Sequence, residues 1–598
     1  MADYKIRAAA RRAERDANIP KEYLVDLSKV GIDPLPLEEL PLPAHRLAPH
    51  KPEPTKHYKD EDVTGVARTL LSIEDQAITE APLEKLVRLL ASGELSSVRA
   101  TEAYLRRAVL AHQLTNCCTD FFSDLALKRA AECDAYLKEK GRTMGPLHGV
   151  PVSLKDQFHI AGTNCTMGYV GWIGKVSKEH SVITECILRA GGVPYVRTNV
   201  PQTLMRCETH NAIFGRTVNG FNRSFTSGGS SGGEGALVGM HGSPLGLGTD
   251  IGGSVRVPSA FNGLWGMRPS MHRIPYEGSA NSMLGQESVS SVIGPLTHSL
   301  EGVVTFMRAV LGERPWEMDP ILVPMPFNEE AYQLKDLQMM KASSSRPSSL
   351  EEEDKGEGEG KVKLCFAIEW NDGLVHPHPP ILRALRETKE KLQAAGHTMI
   401  DWKPYDHGRA LDIIDRIYAA DGGEDVKRAA LEGEEPLMFN LMQNGSERPH
   451  LSTYESWQLN KEKSQYRKEY LDHWQSTVNQ TGTGRPVDAI IAPVSNWASC
   501  PHDTNDNVSY TTQWNLLDRP CVVFPVGFVD PEKDPKVPME GEAFQVLPGG
   551  LDQEYWDRYD PERWAGLPIC LQVVGKRLQD EELLGIARVI KEAGASFK

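Results

Sequence analysis

The sequence predicts an α/β protein whose sheet is largely parallel and covered by helices on both faces. Two observations carry this reading. Short apolar runs of strand length recur along the chain, among them Val150–Leu154, Val193–Val196 and Val487–Ile491 before Pro493. Amphipathic stretches of helical period lie between them. Alternation of the two kinds of segment implies parallel strands joined by crossover helices.

The elements follow in order. Residues 1–75 mix charged helical stretches with Pro34-Leu35-Pro36 and Pro41-Leu42-Pro43. Proline fixes φ and removes a donor, so this region reads as an arm laid over a surface. From Leu83 to Leu114 apolar residues recur at helical spacing with a break near Gly93, which predicts two helices. Residues 342–361 are rich in serine, then in acids and glycine. Such a composition cannot offset chain entropy, so a disordered surface insertion is expected there. A strand follows at 362–368. Further on, Ile381, Leu385, Leu392 and Ala395 share one helix face, and Gly396 is the stop signal.

Composition narrows the function. The chain has 66 Lys+Arg against 81 Asp+Glu, a formal net charge of −15. Phosphate neutralisation needs clustered Lys and Arg, and no basic stripe is present, so no nucleic-acid partner is expected. The charge points to a soluble protein with a small-molecule ligand. The ten cysteines are scattered, none forms a Cys-x-x-Cys pair, and Cys117 and Cys118 are adjacent. Reduced, buried thiols in a cytoplasmic protein are expected. Lys5, Arg7, Arg11, Arg12 and Arg15 precede no apolar segment, and Asp3, Glu14 and Asp16 intrude among them. That pattern fits neither a secretory signal nor a transit peptide. No run approaches the roughly 18 apolar residues of a membrane span.

The chemistry lies in three segments: Val150-Pro151-Val152-Ser153-Leu154-Lys155-Asp156, Gly228-Gly229-Ser230-Ser231-Gly232-Gly233, and Gly248-Thr249-Asp250-Ile251-Gly252-Gly253-Ser254-Val255-Arg256. A Gly/Ser run is usually a linker. Here Ala236-Leu237-Val238 follows at once, so the glycines sit in an apolar region and mark close backbone approach. The pattern G-x-S-x-G also occurs, but a nucleophile elbow must follow a buried strand, and Asn222–Ser227 is too polar. A P-loop needs Lys after the last glycine, where Glu234 stands close by instead. The segment Gly248–Ser254 offers successive backbone N–H groups without blocking side chains, the makings of an oxyanion hole.

Taken in this order, the three segments resemble the amidase signature family. The serine separation agrees, 254 − 230 = 24. Val200-Pro201-Gln202-Thr203 and Asn211-Ala212-Ile213-Phe214-Gly215 look most like the fungal acetamidases and general amidases within it. The resemblance implies one large α/β/α domain, residues 76–598, around a mixed, mostly parallel sheet. It implies hydrolysis of small carboxamides with Ser254 as nucleophile, Ser230 as a bridging serine after a cis peptide bond, and Lys155 as base. Backbone N–H groups of Ile251, Gly252, Gly253 and Ser254 would form the oxyanion hole. Ser231, Thr249, Asp250 and Arg256 would make the supporting polar shell, and Thr203, Leu204 and Met205 would line the acyl pocket. No cofactor and no metal are called for. A homodimer is compatible with the resemblance.

The physical demand stands beside that. A serine hydroxyl needs a base, and Lys155 serves only when neutral. With a reference pKa of about 10.4, about 0.1% is neutral near pH 7.5. The site must lower that pKa by about 3, worth about 4 kcal/mol, and burial supplies such a change. Alternation along Val150–Lys155 points Lys155 away from the apolar row and still into the core. Asp156 is the rival partner that would leave it an ordinary ion-paired lysine, and Asp250 with Arg256 also reads as a structural ion pair. Cys207 is the rival nucleophile, beside Glu208. His376-Pro377-His378 reads as an exposed loop rather than a metal site. An amidotransferase A-type subunit working in a complex, and hydrolysis of esters, anilides or carbamates, are the other readings.

Overall fold

The apolar runs become strands buried on both faces. The computed structural model describes residues 3–36, 58–337, 362–438, 450–539, 547 and 552–596. The main sheet contains β1 (Cys118–Phe121), β2 (Pro151–Lys155), β3 (Val193–Thr198), β6 (Gly246–Asp250), β7 (Trp265–Arg268) and β8 (Val292–Thr297). It continues with β9 (Cys365–Ile368), β10 (Thr398–Asp401), β11 (Ala489–Pro493), β12 (Cys521–Phe528) and β13 (Pro568–Val574). Two short strands, β4 (His210–Asn211) and β5 (Gly215–Arg216), pair separately.

The eleven-stranded sheet runs β1-β3-β2-β6-β8-β7-β12-β13-β11-β9-β10. It is mixed. Parallel pairing forms two blocks, β3-β2-β6 and β11-β9-β10. Antiparallel pairing joins them through β8, β7, β12 and β13, and adds β1 at one edge. Every residue of β2, β6 and β11 is buried, as strands covered on both faces must be.

The predicted helices form with local causes. Leu83–Ser92 stops at Gly93, whose φ of 75° closes the turn. Ser97–Thr115 starts where the Ser96 side chain accepts from the Arg99 amide. Pro379–Ala394 buries Ile381, Leu385 and Leu392. The N-terminal helix Asp3–Ala17 lies on the domain through its arginines: Arg7 donates to the Val170 carbonyl, Arg15 to the Cys118 carbonyl, and Arg11 pairs with Asp120. The prolines 41 and 43 and the segment 342–361 fall outside the described residues. Among the described residues, no helix is long and apolar enough to cross a membrane.

Register places the chemistry. In β2, Ser153 faces Gly246 of β6 and Lys155 faces Thr198 of β3. The C-terminal ends of three parallel strands therefore meet, a usual position for ligand sites in α/β sheets. Behind them the helix Gly232–Gly239 packs on the same face, bringing the Gly228–Gly233 segment against the end of β2.

Candidate active site

Lys155 is the last residue of β2 and is fully buried. Its Nζ lies 2.8 Å from Ser230 Oγ and 2.7 Å from Thr249 Oγ1. Burial lowers its pKa to about 7, against the opposing pull of Asp250 and Glu234. Asp156 is not its partner: that carboxylate accepts from the Thr166 amide and hydroxyl, and faces Arg197. The Gly229–Ser230 peptide is cis. The contact network continues from Thr249 Oγ1 to Gln157 Oε1 at 2.8 Å and from Gln157 Nε2 to the Tyr276 hydroxyl at 2.5 Å.

The loop after β6 is built around Asp250. Its two oxygens accept from Gly253 N at 2.9 Å, Val255 N at 3.2 Å and Asn515 Nδ2 at 2.8 Å. Arg256 adds two bonds of 3.0 Å, through Nε and Nη2. This partnership holds the Asp250 carboxyl well below its usual range despite burial. Gly253 needs its lack of a side chain, since its φ is 134° and an added Cβ would collide with Thr511.

The Gly253 N–H, assigned to the oxyanion hole, is committed to Asp250. The N–H groups of Ile251, Gly252 and Ser254 have no acceptor among the described residues. They remain the open donors.

Ser254 is 6% exposed, and its carbonyl accepts from Ser231 N at 3.2 Å. Among the described residues its hydroxyl makes no hydrogen bond. The Lys155–Ser230 contact is formed, and among the described residues no hydrogen bond joins Ser230 to Ser254. Ser231 Oγ sits 3.3 Å from Thr249 N and 3.4 Å from its carbonyl, tying the two glycine segments together. Thr203 and Leu204 take φ of 77° and 65°, and the Thr203 hydroxyl accepts from Met205 N at 3.1 Å. A β-branched residue rarely adopts this conformation, and such strain gathers at functional loops. A cavity of about 320 Å³ is lined by Met283, Leu284, Ile417, Tyr418 and Leu459, among others, and Thr203–Met205 do not border it.

Several neighbours of the site are not legible in the sequence. Glu234 is fully buried, lies 2.5 Å from Ser153 Oγ and 2.8 Å from Thr198 Oγ1, and burial raises its pKa to about 8. Its place directly after the glycines was the available signal. Asn515, Thr511, Thr512 and Tyr418 reach the loop from helices far along the chain, so no local pattern marks them.

Burial pushes the Cys207 thiol up to about 12, far from a thiolate, and Glu208 pairs with Arg216 and His502 instead. His376 and His378 are buried, not on an exposed loop as expected. The reason is a partner for each ring: His376 Nδ1 lies 2.7 Å from Asp552 Oδ2, and His378 Nε2 lies 2.9 Å from the Tyr555 carbonyl. Asn222–Ser227, too polar for a core strand, is buried without forming one, because Arg223 pairs with Glu61 and Asn222 bonds Asp60.

The site thus consists of a fully buried lysine and two glycine-serine segments gathered at the strand ends of a mixed sheet. The model of the Amidase family matches residues 99–584, and the chain belongs to that family. It is an amide hydrolase. It is 43% identical over 525 residues to an acetamidase of Emericella nidulans, covering 87% of this chain and 90% of that one. An acetamidase of Aspergillus oryzae is 41% identical over 522 residues, with 87% and 91% covered. Among solved structures, a fatty acid amide hydrolase superposes with a TM-score of 0.83 at 34% identity, covering 99% of this chain and 95% of that one.

Proposed function

We propose that the enzyme hydrolyses small monocarboxylic amides to the acid and ammonia through an acyl-enzyme on Ser254. The observation that carries this reading is Lys155: fully buried, with a pKa near 7, and 2.8 Å from Ser230 Oγ. A neutral lysine there can take a proton from Ser230 as Ser230 takes one from Ser254. Ser254 Oγ attacks the amide carbon, and the N–H groups of Ile251, Gly252 and Ser254 receive the oxyanion. The proton returns through Ser230 to the leaving nitrogen, the C–N bond breaks, and ammonia departs. Water repeats the sequence and releases the acid. The acetamidase relatives support a small acyl group.

The test is ammonia release from acetamide, hexanamide and benzamide, with hydroxylamine added in parallel to trap an acyl-enzyme as hydroxamate. Both products are expected to vanish in Ser254→Ala. Activity that survives in Ser254→Ala sinks the assignment.

A further inference from the structure

The loop after β6 is held from behind by hydroxyl groups. Tyr418 donates to the Ile251 carbonyl at 2.5 Å. Thr511 and Thr512 donate to the Gly252 carbonyl at 2.6 and 3.2 Å. Each carbonyl shares a planar trans peptide with the next residue's N–H, which points the opposite way. The Ile251 carbonyl therefore fixes the aim of the Gly252 N–H, and the Gly252 carbonyl fixes that of the Gly253 N–H. The two donors differ in employment. The Gly253 N–H is already bonded to Asp250 at 2.9 Å. The Gly252 N–H has no acceptor among the described residues. A hydrogen bond on a carbonyl also polarises its amide and strengthens the N–H as a donor.

Tyr418 is well placed for this task. It ends the helix His407–Tyr418 and stands in the wall of the 320 Å³ cavity beside Ile417 and Met283. Burial and the nearby Asp250 raise its pKa, so the hydroxyl stays a donor.

We propose that Tyr418 is a positioning residue for amide hydrolysis: it holds the Ile251–Gly252 peptide so that the Gly252 N–H meets the developing oxyanion. The inference rests on the assignment of Ser254 and its loop made above. Tyr418 itself touches no reacting atom.

A fluorophosphonate tests this without depending on amide turnover. Serine Oγ attacks phosphorus, fluoride leaves, the serine proton passes to the base, and a phosphoryl oxygen occupies the oxyanion hole. The labelling rate is measured for wild type, Ser254→Ala, Tyr418→Phe and Tyr405→Phe, with melting temperature and with kcat and KM for hexanamide. Loss of a whole oxyanion donor costs about 10²–10³ in rate, so a mis-aimed one is expected to cost about tenfold. Tyr418→Phe should lose that factor in labelling and kcat, with KM within about twofold and the melting temperature unmoved, while Tyr405→Phe, whose hydroxyl contacts Glu469 away from the loop, stays within about twofold of wild type. Tyr418→Phe labelling at the wild-type rate, an equal loss in Tyr405→Phe, or a Tyr418→Phe protein without a folded melting transition each overturns the proposal. A wild type that does not label, or labelling that survives in Ser254→Ala, defeats the active-site assignment and the Tyr418 role with it.

Discussion

Two sets of buried charges sit near the adjacent ends of β2 and β6; burial disfavours the charged form in both, and only one set has an ion-pair partner to offset it. Lys155 and Glu234 are both fully buried, and each contacts hydroxyls rather than a counter-ion. Desolvation pushes each toward its neutral form, the lysine down to about 7 and the glutamate up to about 8. Asp250 and Arg256 are just as buried, yet both are held in their charged forms, because two bonds of 3.0 Å join them. The comparison separates burial from pairing. Where the amine has no counter-ion in contact, hydroxyls face it and the neutral form is favoured. Where the loop needs a fixed scaffold, a bidentate ion pair supplies it.

Removing the neutral amine should have the largest effect. Lys155→Met is expected to lower kcat by about 10⁴-fold, in line with loss of a catalytic base that works as part of a unit. In wild type the base must be deprotonated, so kcat/KM should rise with pH through a limb centred near 7. A flat profile between pH 6 and 8 would break the assignment of Lys155 as base.

Removing one partner of the charged set should cost stability. Asp250→Ala leaves the Arg256 guanidinium buried without its carboxylate, and about 3–5 kcal/mol is the usual penalty. Urea unfolding monitored by fluorescence checks it. A loss below about 1 kcal/mol would mean that Asn515 and the Thr511 carbonyl suffice for Arg256.

Glu234 sharpens the contrast through pH. Its folded pKa, about 8, lies above the ordinary 4.5. Its contribution to stability is therefore complete below about pH 4.5 and is lost as pH rises through about 8. Lys155 has the opposite sign: its folded pKa is depressed, so its contribution is present above 10.5 and lost as pH falls through about 7. Glu234→Gln should flatten the decline in melting temperature between pH 5 and 8. An unchanged slope would show that Glu234 is ionised in the folded protein.

The smallest effect is expected at Ser231. Its hydroxyl makes only long contacts to Thr249, so Ser231→Ala should cost about 1 kcal/mol and leave the pH limb in place.

Much of this is legible in the sequence. The run Val150–Leu154 became β2, Val193–Val196 became β3, and the break at Gly93 became a helix end. These depend on local periodicity and turn chemistry, which the chain carries in neighbouring residues. The depth of Lys155 was also readable, because alternation within a doubly covered strand buries both rows. The antiparallel centre of the sheet was not, since pairing direction depends on how distant strands return. His376 and His378 misled for the same reason. Their partners, Asp552 and Tyr555, lie about 175 residues away, and nothing near the histidines announces them.

The sequence alone determined the family, the run of strands and helices, and the short list containing Lys155, Ser230, Ser254 and the glycine loop, because each is written in contiguous residues. Tertiary structure decided which of the loop's N–H groups stay open. That choice depends on an oxygen of Asp250 folding back onto Gly253 and on hydroxyls from Tyr418, Thr511 and Thr512 arriving from remote helices. It also decided the protonation of the buried groups, because desolvation is a property of everything packed around an atom and not of its neighbours in the chain.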